Sequence, residues 1–174
     1  MRIRRFFDWL RARLTPRPKP EPLPEPGPDR QVYISTDRVE QILQKTLGGM
    51  YPPRPWPWLV DREGYCPSLQ YMKRVVAQAA IYEREWVAEV GDCDDFSKLV
   101  HAAMVRDAWR KKDGKWVQRA PHVGGRIEGL LPGPHSINWF IDDTHTFYFF
   151  EPQAKNDFFR VSDPRVRDIW AIIT

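Results

Sequence analysis

A chain of 174 residues has room for one sizeable core and too little for two ordinary domains. Hydrophobic residues make up 42% and aromatics 13%, which excludes a chain disordered throughout, and no stretch approaches the roughly 20 apolar residues of a membrane span. The formal charge of +4 is concentrated at one end: residues 1–30 hold eight Lys or Arg against four Asp or Glu, whereas residues 31–174 hold nineteen of each, a balance that argues against a nucleic-acid-binding body.

Residues 2–14 place Ile3, Phe6, Phe7, Leu10 and Leu14 at helical spacing with Arg4, Arg5 and Arg11 largely opposite, which predicts a short basic amphipathic helix over 1–14. Asp8 and the arginines interrupt its apolar stretch and no small-residue cleavage site follows, so it does not read as a secretory signal. From Pro16 to Pro28 proline falls at every second position. Each fixes its own φ and pushes the residue before it out of the α region. Residues 15–30 are therefore expected as a polyproline II spacer of roughly 40 Å. A helix held away from a globule suits docking into a partner protein's groove or onto an anionic membrane surface. Binding of nucleic acid through the arginines from Arg2 to Arg13 is a further possibility for this tail.

The globular domain is expected over 31–174. A strand over 31–35 precedes a helix from Asp37 to Leu47, with Asp37 as cap, Glu40 three residues on, and Gly48-Gly49 as its end. The loop from Tyr51 to Trp58 is rich in Pro and Trp and reads as a cover for a core. Leu69, Met72, Val75, Val76 and Ala79 predict a second helix running to Arg84. Phe96, Leu99, Val100, Ala103 and Met104 predict a third, from Asp92 to near Asp113. The Gly- and Pro-rich stretch 120–134 reads as a loop. His135 to Ile141 and His145 to Phe150 are rich in β-branched and aromatic residues and read as a hairpin, and 157–162 and 169–173 as two more strands. Helices followed by an antiparallel sheet make an α+β class.

Two cysteines, Cys66 and Cys93, are too few for a disulfide framework and suit a reduced, cytoplasmic chain. Cys93 falls in the first turn of the third helix, where unpaired N–H groups and the helix dipole favour a thiolate. Asp92, Asp94 and Asp95 crowd the same turn, and like charges oppose a thiolate. A reactive Cys93 thus needs a neutralising partner, either an imidazolium or a hard cation bound by the carboxylates. His101 lies eight residues along the same helix, about 12 Å away, too far for contact. His122 stands close to Gly124 and Gly125 and could reach many places, while His135 opens a strand. With Asp142-Asp143-Thr144 as the hairpin loop, Ile141 opposes His145 and His135 opposes Glu151. Glu151 could then fix the tautomer of His135, and Cys93, His135 and Glu151 form a candidate catalytic triad. A two-residue loop would instead turn Glu151 to the other face.

The segments Cys93-Asp94-Asp95-Phe96, His135-Ser136-Ile137-Asn138-Trp139 and Glu151-Pro152-Gln153, with their spacing, resemble the papain-like carboxy-terminal domain of the Marasmius oreades agglutinin and the lectin MOA-related proteins of bacteria and phages. Helix-borne Cys followed by strand-borne His and acid is also similar to bacterial transglutaminase-like cysteine peptidases. The resemblance implies a papain-like or transglutaminase-like fold and a cysteine peptidase or amidohydrolase dependent on Ca²⁺ or Mn²⁺, acting on a peptide or protein. It also implies a metal site at Asp94, Asp95 and Gln153. The alternative is a catalytically silent papain-like module of a phage or bacterium, in the host cytoplasm or the virion, whose amino-terminal helix is the working part. Only the basic helix and the proline segment stand before the matching stretch, which argues against carbohydrate binding.

Overall fold

In the sequence Ile137-Asn138-Trp139-Phe140-Ile141 every side chain is buried, as a strand requires only when both faces of its sheet are covered. The computed structural model describes residues 32–50, 62–87, 91–112, 115–118, 121–130 and 133–174. The helix and spacer expected at 1–30 and the aromatic loop Tyr51 to Trp58 lie outside those residues. In chain order the elements are β1 (Val32–Ser35), α1 (Thr36–Leu47), β2 (Glu63–Cys66), α2 (Leu69–Ala79), a 3-10 turn (Ile81–Glu83), α3 (Cys93–Ala108), β3 (Trp109–Lys112), β4 (Lys115–Gln118), β5 (Gly124–Leu130), β6 (Pro134–Ile141), β7 (Phe147–Phe150), β8 (Phe158–Phe159) and β9 (Asp168–Ile173). The main sheet has the order β8-β7-β6-β5-β9 with antiparallel neighbours throughout, and β1-β2 and β3-β4 are separate pairs. The α+β class expected from the sequence is the one found.

Alternation along β6 and β7 divides the core in two. Ile137, Trp139, Ile141, Phe147 and Phe149 join Ile127, Ile169 and the α1 residues Val39, Ile42, Leu43 and Leu47. Phe140 and Phe150 join Met72, Val75 and Val76 of α2 and Phe96, Val100 and Met104 of α3. A full side chain of this kind contributes about 1.5–3 kcal/mol when removed from water. The fold thus rests on a sheet held between α1 on one side and the α2–α3 pair on the other.

Element boundaries differ from expectation where caps and turns decide them. The α1 cap is Ser35, whose hydroxyl accepts from Arg38 N at 3.4 Å, and not Asp37. Helix α2 stops at Ala79 and not Arg84, because Ala80 turns left-handed with φ 49°. Helix α3 stops at Ala108, since Trp109–Lys112 pairs with Lys115–Gln118. The stretch expected as loop, 120–134, holds β5. Its glycines are there for close approach: a Cβ on Gly125 would meet Ile173 O at 2.0 Å and one on Gly129 would meet Asp168 O at 2.1 Å, so β9 can pair with β5 only if both stay glycine.

The hairpin register also moves. Ile141 pairs with Phe147 and Trp139 with Phe149, not with His145 and Phe147. The loop is Asp143-Thr144-His145, closed by the bond from Asp142 N to Thr146 O at 3.0 Å, with His145 left-handed at φ 61°, the three-residue hairpin geometry. Asp142 Oδ1 selects it by accepting from Thr144 N at 2.9 Å, Thr144 Oγ1 at 2.6 Å and Thr146 N at 2.9 Å. Asp142→Ala removes the shared acceptor of these three donors, and the expected loss is about 1–3 kcal/mol. Urea denaturation of the variant checks this, and an unchanged midpoint refutes the assignment.

Candidate functional site

Buried polar atoms join α3 to β6 at the level where the expected site residues stand. Ser97 Oγ lies 2.7 Å from Ser136 Oγ and donates to Asp94 O at 2.9 Å. Asn138 Nδ2 donates to Ser97 O at 2.9 Å and to Gly125 O at 3.1 Å. Ser97, Ser136 and Asn138 are all buried, so these bonds stand in low dielectric, where a missing partner is costly. Cys93 is one turn before Ser97 and His135 is the neighbour of Ser136. The seam therefore brings the tip of α3 and the opening of β6 to the same end of the molecule.

His135 Nε2 lies 2.6 Å from Glu151 Oε2, with both side chains about four-fifths buried (20% and 18% exposed). The other Glu151 oxygen accepts from Gln153 N at 3.0 Å, and Glu151 N donates to Asp157 O at 3.0 Å. The carboxylate is held from both sides, and it holds the imidazole in turn. His135 and Glu151 come together diagonally and not as the directly opposed pair expected: continuing the observed register sets Glu151 opposite Ile137 and His135 opposite Gln153. A shift of one residue on each strand preserves the face, which is why the contact survives the change. Cys93 is half-buried at the helix tip, and among the described residues no hydrogen bond joins its thiol to His135. The imidazole Nδ1 is the ring nitrogen left for a further partner.

The acidic turn is arranged as a cluster. One carboxylate oxygen each from Asp92, Asp94 and Asp95 lie within 4.8 Å of one another. The bond between the Asp92 and Asp94 carboxyls, with burial and the charges of Asp94 and Asp95, raises Asp92 above the usual carboxylate range. That same bond, then Lys98, lowers Asp94. Lys98 ion-pairs with Asp94 and lies 3.3 Å from Asp95, and the Asp94 bond raises the ammonium in turn. Asp92 Oδ1 is buried without a hydrogen-bond partner, and hard oxygen donors close together suit Ca²⁺ or Mn²⁺. These residues fit a cation, with Asp92 a donor beyond the Asp94, Asp95 and Gln153 that the resemblance implies. Gln153 contributes its backbone to Glu151, as above, and no side-chain contact of Gln153 joins it to the cluster among the described residues. Lys98, Ser97, Ser136 and Asn138 were also missed. The spacing of Lys98 from Asp94 and Asp95, four and three residues on a helix, was the available signal for the first.

The second thiol is of another kind. Cys66 is fully buried on β2, and burial, followed by the charges of Asp142 and Asp143, pushes it up to about 12.

A family model described as agglutinin C-terminal matches residues 66–157. Among solved structures, PSL1a in complex with E64 is similar, with TM-score 0.65 and 17% identity over 81% of this chain and 51% of that one. The Polyporus squamosus lectin bound to the human-type influenza-binding epitope Neu5Acα2-6Galβ1-4GlcNAc is similar too, with TM-score 0.61 and 18% identity over 82% of this chain and 50% of that one. At such identities the likeness is one of fold, and this chain spans about half the length of either. No curated protein matches the chain. These findings overturn the expected cysteine peptidase or amidohydrolase, and equally the silent interaction module worked by its tail, because the matching family is an agglutinin family and a solved neighbour is a glycan-bound lectin. The argument against carbohydrate binding falls with them. Among the described residues no helix is long and apolar enough to cross a membrane.

The Cys66 thiol titrates far above a free thiol, so the unfolded chain loses this proton first and stability falls as pH rises between about 9 and 12. The stability difference between the wild type and Cys66→Ala is expected to shrink by about 1.4 kcal/mol per pH unit above 9. Denaturant titrations of both proteins at pH 8, 9.5 and 10.5 check it; a constant difference contradicts the burial argument.

Proposed function

The chain belongs to the agglutinin C-terminal family, and from that premise we propose that it is a carbohydrate-engaging module of a lectin-type protein, with a divalent cation at the acidic tip of α3. The observation that carries this reading is the family match over residues 66–157, which contains the whole acidic turn, His135, Glu151 and Gln153. The glycan on a lectin of similar fold supports it. Asp92, Asp94 and Asp95 would hold Ca²⁺ or Mn²⁺, with Gln153 as a further ligand. The ion would supply positions for oxygen donors beyond those that three carboxylates fill, as a saccharide's hydroxyls are. Lys98 occupies Asp94 and Asp95 in the meantime and must swing aside. The bond to Asp94 raises the Asp92 carboxyl above its ordinary value, and a bound cation would favour its charged form.

The experiment is a calorimetric titration of the full chain with Neu5Acα2-6Galβ1-4GlcNAc and a set of neutral glycans, in calcium and in chelator. Saturable binding that chelator abolishes is expected. Asp94→Asn and Asp95→Asn should each weaken calcium binding at least tenfold, about 1.4 kcal/mol, and Lys98→Gln should strengthen it. Absence of saturable binding to every glycan overturns the reading.

A second assignment rests on the bond of 2.6 Å between His135 and Glu151. Cys93, His135 and Glu151 would make a thiol, imidazole and carboxylate set, with the thiol at the tip of α3, the imidazole on β6 and the carboxylate just past the end of β7. Glu151 orients the imidazole, and His135 Nδ1 accepts the proton of the Cys93 thiol, making Cys93 the nucleophile of the set. No substrate is assigned to it. Iodoacetamide at pH 7 should modify Cys93 at least tenfold faster than Cys66, and His135→Ala should slow Cys93 alone. Equal, slow labelling of both thiols sinks this assignment.

A further inference from the structure

Helix α3 turns a second face away from the core. Lys98, His101, Ala102, Val105 and Arg106 recur at intervals of three, one, three and one residues, a single stripe of an α-helix, and with Arg126 of β5 they line an open groove. Three of these six residues carry a fixed positive charge and none is acidic. Lys98 closes one end through Asp94 and Asp95. Arg106 is exposed, and Arg126 meets Glu128 only at 3.5 Å. His101 is half-buried in the groove, and burial together with Arg126 lowers its titration, so near neutrality it stands as an uncharged donor and acceptor between the two arginines. Val105 is 48% exposed and with Ala102 makes an aliphatic wall.

Fixed guanidinium groups beside an aliphatic wall complement a ligand with one carboxylate on a ring that also has an apolar edge. Arg is suited to that anion because its planar fork matches the two carboxylate oxygens. We propose that this groove is a subsite for the carboxylate of an acidic saccharide, with Arg126 and Arg106 as its carboxylate-binding residues. The inference rests on the carbohydrate reading above and names the class of sugar it takes. Nucleic acid fits less well: the body beyond residue 30 has no excess of basic residues, and a polyanion needs a basic track longer than one helical stripe.

The test uses the full chain in calcium, titrated with a glucuronic-acid disaccharide and with the same sugar as its neutral methyl ester. The acid should bind about fivefold tighter than the ester at low salt, the scale of an exposed ion pair. Arg126→Gln and Arg106→Gln should each reduce that preference toward unity, the acid losing more affinity than the ester. Equal affinity of acid and ester for the wild type, or a preference that survives both variants, overturns the subsite while saccharide binding itself still stands. Failure of acid and ester alike to bind overturns the subsite together with the carbohydrate reading on which it rests. A short DNA oligomer that binds as tightly as the acidic disaccharide, with affinity falling steeply in salt, overturns the subsite in favour of a general polyanion surface.

Discussion

Everything at the site depends on the amide of Asn138. Its two donors reach Ser97 O on α3 and Gly125 O on β5, so one side chain on the central strand ties a helix to a neighbouring strand. The hydroxyls of Ser97 and Ser136 close the same seam. Apolar packing alone lets a helix slide along a sheet by fractions of a turn, since ridges and grooves repeat. Hydrogen bonds in a buried seam do not allow it, because a displaced donor finds no water. The seam therefore sets how far the tip of α3, with Cys93 and its three aspartates, projects beyond the end of β6.

What could be read from the sequence was whatever obeys a period. The stripes of α2 and α3 and the β6–β7 hairpin were legible because apolar spacing reports a buried face directly. The side of the hairpin on which His135 and Glu151 lie was legible too, since a shift of one residue on each strand leaves the face unchanged. Their pairing was not, because Asp142 uses its carboxylate to hold a loop one residue further on. Strand β5 escaped notice for the opposite reason. Its glycines lower strand propensity locally, and their purpose becomes visible only when β9 lies against them. Sheet neighbours distant in sequence leave no local trace.

The charge of the acidic turn illustrates the same limit. Three carboxylates beside a helix tip called for a neutralising partner, and imidazolium or a cation were the candidates. The structure has another answer in place, the ammonium of Lys98 beside Asp94 and Asp95, while the bond to Asp94 raises the Asp92 carboxyl above its ordinary value. Helix geometry makes the lysine local, since it stands four and three residues from Asp94 and Asp95 on one face. A turn that is tolerable without a cation can also bind one reversibly. Exposed ion pairs are worth little, so Lys98 is a weak competitor for the carboxylates.

Lys98 belongs to two surfaces at once. It ion-pairs at the acidic turn, and it lines the basic groove. Taken together, the cation site and the acidic-sugar subsite are therefore not independent. On the proposed cation site, an ion on Asp94 and Asp95 would displace the ammonium from these carboxylates, and turned toward the groove it would add a positive charge to those of Arg106 and Arg126. An anion in the groove stabilises the same displaced lysine. By linkage each ligand raises the affinity of the other by one common factor.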